Sequence, residues 1–183
     1  MTSVLVPLAE GFEEMEAVTI IDILRRAGFD VVAAGLEAGP VLASRGVRVV
    51  PDATLDEALQ REFDMVVLPG GNIGTDNLNR DARIHEILKK MADSDKFVGA
   101  ICAAPVVLAN AGLLKGKQAT SYPGCLDQMS LPDTTYKSDK VVKDGKIITS
   151  RGPGTAIDFG LAIIEALAGK DKRDEIENQL VRN

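Results

Sequence analysis

The stretch Val98-Gly99-Ala100-Ile101-Cys102-Ala103-Ala104-Pro105 decides the fold. Phe97–Ile101 is a short apolar run with no polar alternation, the pattern of a strand covered on both faces. Pro105 suits the first turn of a helix, where its missing N–H leaves no bond unmade. A helix is therefore expected over Ala104–Ala111, and only a sharp turn fits between strand and helix. That turn carries Cys102.

Outward from this segment the same alternation recurs in both directions. Val4–Leu8 reads as a buried strand, and Glu13–Ala27 as a helix with two stripes, Val18/Ile21/Leu24 and Glu16/Ile20/Ile23/Ala27. Gly28 closes that helix, and Val31–Ala34 is a second strand. Pro40 to Val50, centred on Arg45-Gly46, reads as a hairpin. Met65–Leu68 is a buried strand ended by Pro69-Gly70-Gly71, and Ile84, Ile87, Leu88 and Met91 mark a helix from Asp81 to about Ser94. Lys146–Ser150 is a strand. Thr155–Leu167 is a helix with Ile157, Leu161, Ile164 and Leu167 on one face and a Thr155/Asp158 capping box. In the charged tail Lys170–Leu180, Ile176 and Leu180 are left to dock it. Buried strands alternating with helices predict an α/β three-layer α/β/α sandwich with a mainly parallel central sheet, one domain over residues 1–183. In such sheets ligands bind at the carboxyl ends of the strands.

Composition narrows the function. The 183 residues carry 21 basic and 27 acidic side chains, a net charge of −6, with 4% aromatics and no Trp. Direct nucleic-acid binding is not expected, because it needs cationic surface and stacking faces. Met-Thr-Ser leads straight into the first strand without a basic leader or apolar signal segment, and no apolar run approaches a membrane span. The expected location is the cytoplasm, with Cys102 and Cys125 as reduced thiols.

Cys102 admits two readings. At a helix start, the dipole and free N–H groups lower a thiol pKa and make a nucleophile; alternatively it is one more small buried residue. Gly70-Gly71-Asn72 follows another buried strand and lies on the same sheet edge. It is either a set of backbone N–H donors for an oxyanion or a tight strand-to-helix turn. In Gly11-Phe12-Glu13-Glu14-Met15-Glu16 the acids suit a first helical turn, but the stripe-mates of Glu16 are apolar. A covered carboxyl has a raised pKa and can donate a hydrogen bond. His85, the only histidine, sits in an amphipathic helix between Ile84 and Glu86, away from Cys102 in sequence. No Cys or His cluster has metal-ligand spacing, and no cofactor motif is complete. Cys125 reads as an incidental loop thiol, with a resolving role as the alternative.

With these motifs in order, the chain resembles the DJ-1/ThiJ/PfpI superfamily and, within it, the DJ-1/YajL branch. The resemblance runs through Gly11–Val18, Arg25–Gly28, Ser44–Val47, Val66–Asn72, Ala100–Pro105 and Thr149–Thr155. It implies a flavodoxin-like fold and a homodimer, with Cys102 as oxidisable nucleophile and Glu16 as its carboxyl partner. It also implies that Gly70, Gly71 and Ala103 supply backbone amides to the site. Arg45 would be pocket-side, Asn72 and Tyr122 would lie at the pocket, and Arg26 and Pro153 near the dimer interface and site. One stripe of the first helix would pack on the core and the other on the partner subunit.

The implied function is a cysteine-dependent glyoxalase or deglycase acting on methylglyoxal, glyoxal and their adducts, without a cofactor and with a role in oxidative stress. The alternative is a redox sensor or oxidation-gated chaperone whose cysteine stops at sulfinate. A cysteine hydrolase or peptidase is a third reading. The chain departs from the peptidase-like members in having Ala103 where they carry His, and from many DJ-1 relatives in having Tyr122 where they carry His.

Overall fold

The computed structural model describes residues 1–182. In chain order the elements are β1 (Ser3–Leu8), α1 (Glu14–Arg26), β2 (Asp30–Gly35), β3 (Val41–Leu42), β4 (Arg48–Val49), β5 (Ala53–Thr54) and α2 (Leu55–Ala58). Then follow β6 (Met65–Leu68), α3 (Asn72–Arg80), α4 (Ala82–Asp93), β7 (Phe97–Ile101), α5 (Pro105–Asn110), β8 (Gln118–Ala119) and β9 (Thr135–Tyr136). The chain closes with β10 (Val141–Asp144), β11 (Ile147–Ser150), α6 (Ala156–Ala168) and α7 (Lys170–Gln179).

Seven strands form one sheet in the order β10-β11-β7-β6-β1-β2-β5. Every neighbouring pair is parallel except β10–β11 at one edge. Alternate residues of the apolar strands feed two cores. On one face Val4, Val6 and Leu8 pack with Ile20, Ile23 and Leu24 of α1 and Phe159, Ile163 and Ile164 of α6. On the other, Leu5, Val66, Leu68 and Val98 pack with Ile84, Leu88 and Met91 of α4 and Val107 and Leu108 of α5. The expected three-layer sandwich is what forms. Gly99 matters to the packing: a Cβ there would lie 2.8 Å from Met65 Cε and 3.1 Å from Phe159 Cζ, so the bare backbone makes room for both side chains.

The helix ends follow local chemistry. Glu13 caps α1 through the Met15 N–H, and Gly28, at φ +80°, ends it in the left-handed conformation. Asp81 caps α4 by accepting from Arg83 N at 2.9 Å. The hairpin expected around Arg45-Gly46 is the antiparallel pair β3–β4. Ile176 is fully buried and docks α7.

Three expectations fail for identifiable reasons. The Thr155/Asp158 capping box does not form, because the chain enters α6 through a 3₁₀ turn at Pro153–Thr155. Thr155 Oγ1 instead accepts from Gly152 N and lies 2.7 Å from Ser150 Oγ, while Asp158 pairs with Arg182. Ile157 is turned outward, and the buried face of α6 runs through Ala156, Phe159, Gly160 and Ile163. The stripe Val18/Ile21/Leu24 on α1 grades from solvent to core, with Val18 48% exposed and Leu24 at 0%. α3 and β10 go unseen in the sequence. Asn72–Arg80 carries only Ile73 and Leu78 as large apolar residues, and the edge strand β10 reads Val-Val-Lys-Asp.

Phe159 is the largest side chain joining α6 to the sheet, so Phe159→Ala should cost about 3–5 kcal/mol. The measurement is a shift of the urea midpoint at unchanged m-value; a loss below ~1 kcal/mol would mean the site collapses around the gap.

Candidate active site

Four carboxyl ends of strands converge. The segments after β1, β6, β7 and β11 supply Gly11–Glu13, Pro69–Gly71, Cys102 and Arg151–Pro153. β1 lies where the strand order reverses, with β2 on one side and β6 on the other. In doubly wound sheets this switch point opens a crevice, because the connections on its two sides leave in opposite directions.

Cys102 occupies the turn between β7 and α5 with φ +64°, a left-handed conformation that a non-glycine residue adopts at a cost of about 1–3 kcal/mol. Two backbone bonds hold it there. Its N–H donates to Ser150 O at 3.0 Å, and its carbonyl accepts from Tyr122 N at 2.8 Å. The sulfur is thereby presented, half-buried, to the crevice floor. The backbone N–H groups of Gly71 and Ala103 are in hydrogen-bonding range of it and favour its anion.

Glu16 projects from the first turn of α1 and is 0% exposed. Its Oε2 accepts from Gly70 N at 2.8 Å, and the carboxyl lies against the Cys102 thiol closely enough for each to shift the other's protonation. The other oxygen, Oε1, is buried without a well-aligned partner. Leaving a charged oxygen so is costly, and burial accordingly pushes the Glu16 carboxyl up to about 7.

The thiol answers the same forces with the opposite charge bookkeeping. Burial, then the Glu16 carboxylate, push Cys102 up to about 12, against the pull of the two amides. A thiol lowered by its helix start is therefore not what the fold provides. α5 is only six residues long and begins at Pro105, so the amides of Gly71 and Ala103 are the anion's donors rather than a long dipole. A thiolate is favoured when the proton sits on Glu16. Near neutral pH the sulfur keeps its proton, and the Glu16 carboxyl is the group that titrates.

The glycines are required by contact. A Cβ on Gly70 would fall 2.6 Å from Cys102 Cβ and 2.7 Å from Glu16 Oε2. Gly71 has φ +90°, and a Cβ there would meet Gly11 O at 2.3 Å. Above them opens a cleft of about 430 Å³ whose walls include Arg45, Asn72, Tyr122 and Pro153. Five of the remaining residues singled out in the sequence also converge here: Cys102 and Gly71 on the floor, with Glu16, Gly70 and Ala103 bonded or packed around the sulfur.

Arg26 does not join them. It lies at the far end of α1, about 15 Å along the helix from Glu16, and pairs with Asp22 at 2.6 Å. His85 Nε2 lies 2.8 Å from Asn79 O and is not part of the cleft wall. Cys125 also lies outside that wall; burial raises its thiol, with Asp127 as a second cause. A larger cleft of about 640 Å³, beside Leu36–Leu42 and Arg80, contains neither thiol.

Sequence reasoning missed Glu13, Glu14 and Ser44. Ser44 Oγ lies 2.8 Å from Glu13 Oε2 and 2.9 Å from Glu14 Oε2, and Arg45 N donates to Glu14 Oε1 at 2.8 Å. These bonds fasten the β3–β4 hairpin over the cleft. Burial raises the Glu14 pKa, but the hydrogen bonds from backbone and Ser44 outweigh it and hold the carboxyl below its ordinary value. Glu13 and Glu14 are adjacent in the sequence, but their common partner Ser44 is about thirty residues away.

An α/β sandwich with a cysteine on a strained strand–helix turn, backed by a buried carboxyl, defines a class of cysteine-centred proteins. Residues 2–166 match the DJ-1/PfpI family, and the chain belongs to it. It is 46% identical over 181 residues to protein dj-1beta of Drosophila melanogaster, covering 98% of this chain and 96% of that one. A crystal structure of Drosophila melanogaster DJ-1beta superposes with a TM-score of 0.94 at 45% identity, over 98% of this chain and 97% of that chain. Protein DJ-1 homolog B of Arabidopsis thaliana is 47% identical over 171 residues, 92% of this chain but only 39% of that longer protein. The glutathione-independent glyoxalase DJR-1.2 of Caenorhabditis elegans is 37% identical over 167 residues, 91% of this chain and 89% of that one.

The raised Glu16 carboxyl has a thermodynamic signature. Between its ordinary 4.5 and about 7 the folded protein holds a proton that the unfolded chain releases. Stability is therefore lost as pH rises through that window and levels off above it, by about 3 kcal/mol in all. Glu16→Gln should remove this loss, so the stability difference between variant and parent should shift by about 2–3 kcal/mol between pH 5 and pH 8 in urea unfolding. Parallel pH profiles would contradict a buried, protonatable Glu16.

Proposed function

We propose that the protein is a cysteine-dependent enzyme of glyoxalase type, acting on methylglyoxal or glyoxal and their adducts. The observation that carries this reading is the buried Glu16 carboxyl lying against the Cys102 sulfur, and the glyoxalase name of the Caenorhabditis elegans relative supports it. The Glu16 carboxylate takes the thiol proton as the Cys102 sulfur adds to the aldehyde carbon, which forms a hemithioacetal oxyanion. Glu16 gives its proton to that oxygen and, now a carboxylate, takes the hydrogen from the same carbon. Returning that proton to the neighbouring carbonyl carbon, while the hydroxyl proton passes from the first oxygen to the second, converts the adduct into a thioester of the 2-hydroxy acid. Water then hydrolyses the thioester, releasing lactate from methylglyoxal and restoring the thiol. Oxidation state balances internally: one carbon is oxidised as its neighbour is reduced, so no redox cofactor is needed.

The β3–β4 hairpin and Tyr122 limit solvent around the adduct, and the Gly71 and Ala103 amides stabilise the charge of sulfur or oxyanion. On aminocarbinol adducts the sulfur would displace the amine, which leaves with the proton held by Glu16, and the resulting hemithioacetal would follow the same rearrangement. The outer stripe of α1, where Met15 and Val18 are exposed, is the face we assign to a second copy of the chain. A second reading, redox sensing, draws on the same pair, since a protonated Glu16 also donates to a Cys102 sulfinate.

The test follows lactate from methylglyoxal, and amine release from a methylglyoxal-treated lysine peptide. Cys102→Ala should lower lactate formation by about 10³-fold or more, and Glu16→Gln by ~10²-fold. A Cys102→Ala protein with undiminished rate would sink the proposal. Negligible turnover by the parent, with a stable gain of two oxygens on Cys102 after mild peroxide, would favour the sensor.

A further inference from the structure

Beside the Cys102 cleft lies a second one of about 350 Å³, and Tyr122 and Pro153 belong to the walls of both. The two are therefore neighbours across a single ring and a single proline. Tyr122 is anchored by its backbone, since its N–H bonds the Cys102 carbonyl. Its ring rests on Gly152, where an added Cβ would meet Cδ2 at 3.3 Å. The partition is thus a side chain, half-exposed and standing on a bare glycine, rather than a backbone wall.

The second cleft differs from its surroundings in charge. In a chain of net charge −6, its only charged wall residues are Lys140 and Arg151. Arg151 has no carboxylate partner among the described residues; its Nη1 donates only to the Ser138 carbonyl, at 3.0 Å, which orients the guanidinium without neutralising it. Lys140 lies 3.7 Å from Asp158, whose closer partner is Arg182 at 2.8 Å. Arg151 is thus oriented with its charge left over, and the mostly exposed Lys140 shares Asp158 with Arg182. Ser138 and Thr155 add polar groups to the same wall.

We propose that this cleft is a subsite for an acidic group of the substrate, a carboxylate or phosphate carried on the same molecule as the reacting carbonyl. The carbonyl enters the Cys102 cleft while the anion rests on Lys140 and Arg151, with Tyr122 and Pro153 between them. Substrates of this class are larger than free methylglyoxal: carbonyl adducts on an acidic chain. The inference rests on Cys102 being the reacting group, as proposed above, and goes beyond it in specifying what else the substrate carries.

The test uses alkylation of Cys102, which needs no glyoxalase turnover. N-iodoacetyl-Gly-Glu-Glu and its neutral counterpart N-iodoacetyl-Gly-Gln-Gln carry the same warhead on tails of similar size. The acidic probe should react roughly three- to tenfold faster at low salt, with the advantage shrinking as ionic strength rises. In Lys140→Ala/Arg151→Ala the two rates should converge while the neutral probe keeps its parental rate, which also shows the site is intact. A phosphoserine tail in place of glutamate assigns the subsite to phosphate if its advantage is larger, and to carboxylate if smaller. As a readout independent of thiol reactivity, acetyl-Gly-Glu-Glu should bind the Cys102→Ala protein measurably by calorimetry, and several-fold more weakly when Lys140 and Arg151 are also removed. Equal alkylation rates in the parent, or an acidic preference that survives the double substitution, would overturn the subsite. Methylglyoxal turnover alongside equal rates removes the subsite alone; charge preference without turnover removes the glyoxalase reading alone.

Discussion

A single buried carboxyl group organises the upper edge of this sheet. Glu16 bonds the Gly70 amide across the switch point and lies against the Cys102 sulfur, so it joins the segments after β1, β6 and β7. Each neighbour is shaped to permit this. Gly70 has no room for a Cβ, Gly71 turns with positive φ, and Cys102 accepts a left-handed backbone pinned by Ser150 and Tyr122. The arrangement opposes stability above neutral pH, where the carboxylate would have to sit in an apolar setting with one oxygen unsatisfied. A fold selected only for stability would place an apolar side chain there. Local strain and a misfit charge at one spot are what a preorganised reactive site costs.

In the proposed reaction acid, base and nucleophile are drawn from two residues. In cysteine hydrolases an imidazole holds the proton beside the sulfur and orients it. Here His85 sits on α4, bonded to Asn79 O, and Ala103 follows the cysteine. The carboxyl takes the imidazole's place with a difference of sign. An imidazole that gains the thiol's proton becomes a cation and steadies the thiolate, whereas Glu16 becomes neutral and steadies it only by a hydrogen bond. Such a pair suits reactions in which one proton is passed out and back within a substrate, as in rearranging a 2-oxoaldehyde.

Much of the layout was legible because apolar periodicity and turn residues agreed. The strands β1, β2, β6, β7 and β11, the helices α1, α4, α5 and α6, and the Arg45-Gly46 hairpin follow from runs such as Met65–Leu68 and stops such as Gly28. What escaped was either short of apolar residues, like α3, or decided by long-range contact. Thr155 and Asp158 have the spacing of a capping box, yet tertiary partners claimed both side chains, Ser150 and Gly152 the one and Arg182 the other. At the site, Glu16 was legible from its apolar stripe-mates. The Glu13–Ser44–Glu14 fastening was not, because it joins α1 to a hairpin thirty residues away and leaves no periodic trace.

The placement of Tyr122 ties these threads together. Its backbone helps hold Cys102 in the strained conformation, while its ring divides the reactive cleft from a cationic one. A residue with both duties couples what enters the site to how the nucleophile is held. In the proposed reaction the protons are handled by Glu16 and Cys102, and under the proposed subsite selection falls to shape and to the charges of Lys140 and Arg151. Under that proposal reactivity is set on the floor of the cleft, by Glu16 and Cys102, and discrimination at its rim, by Lys140 and Arg151.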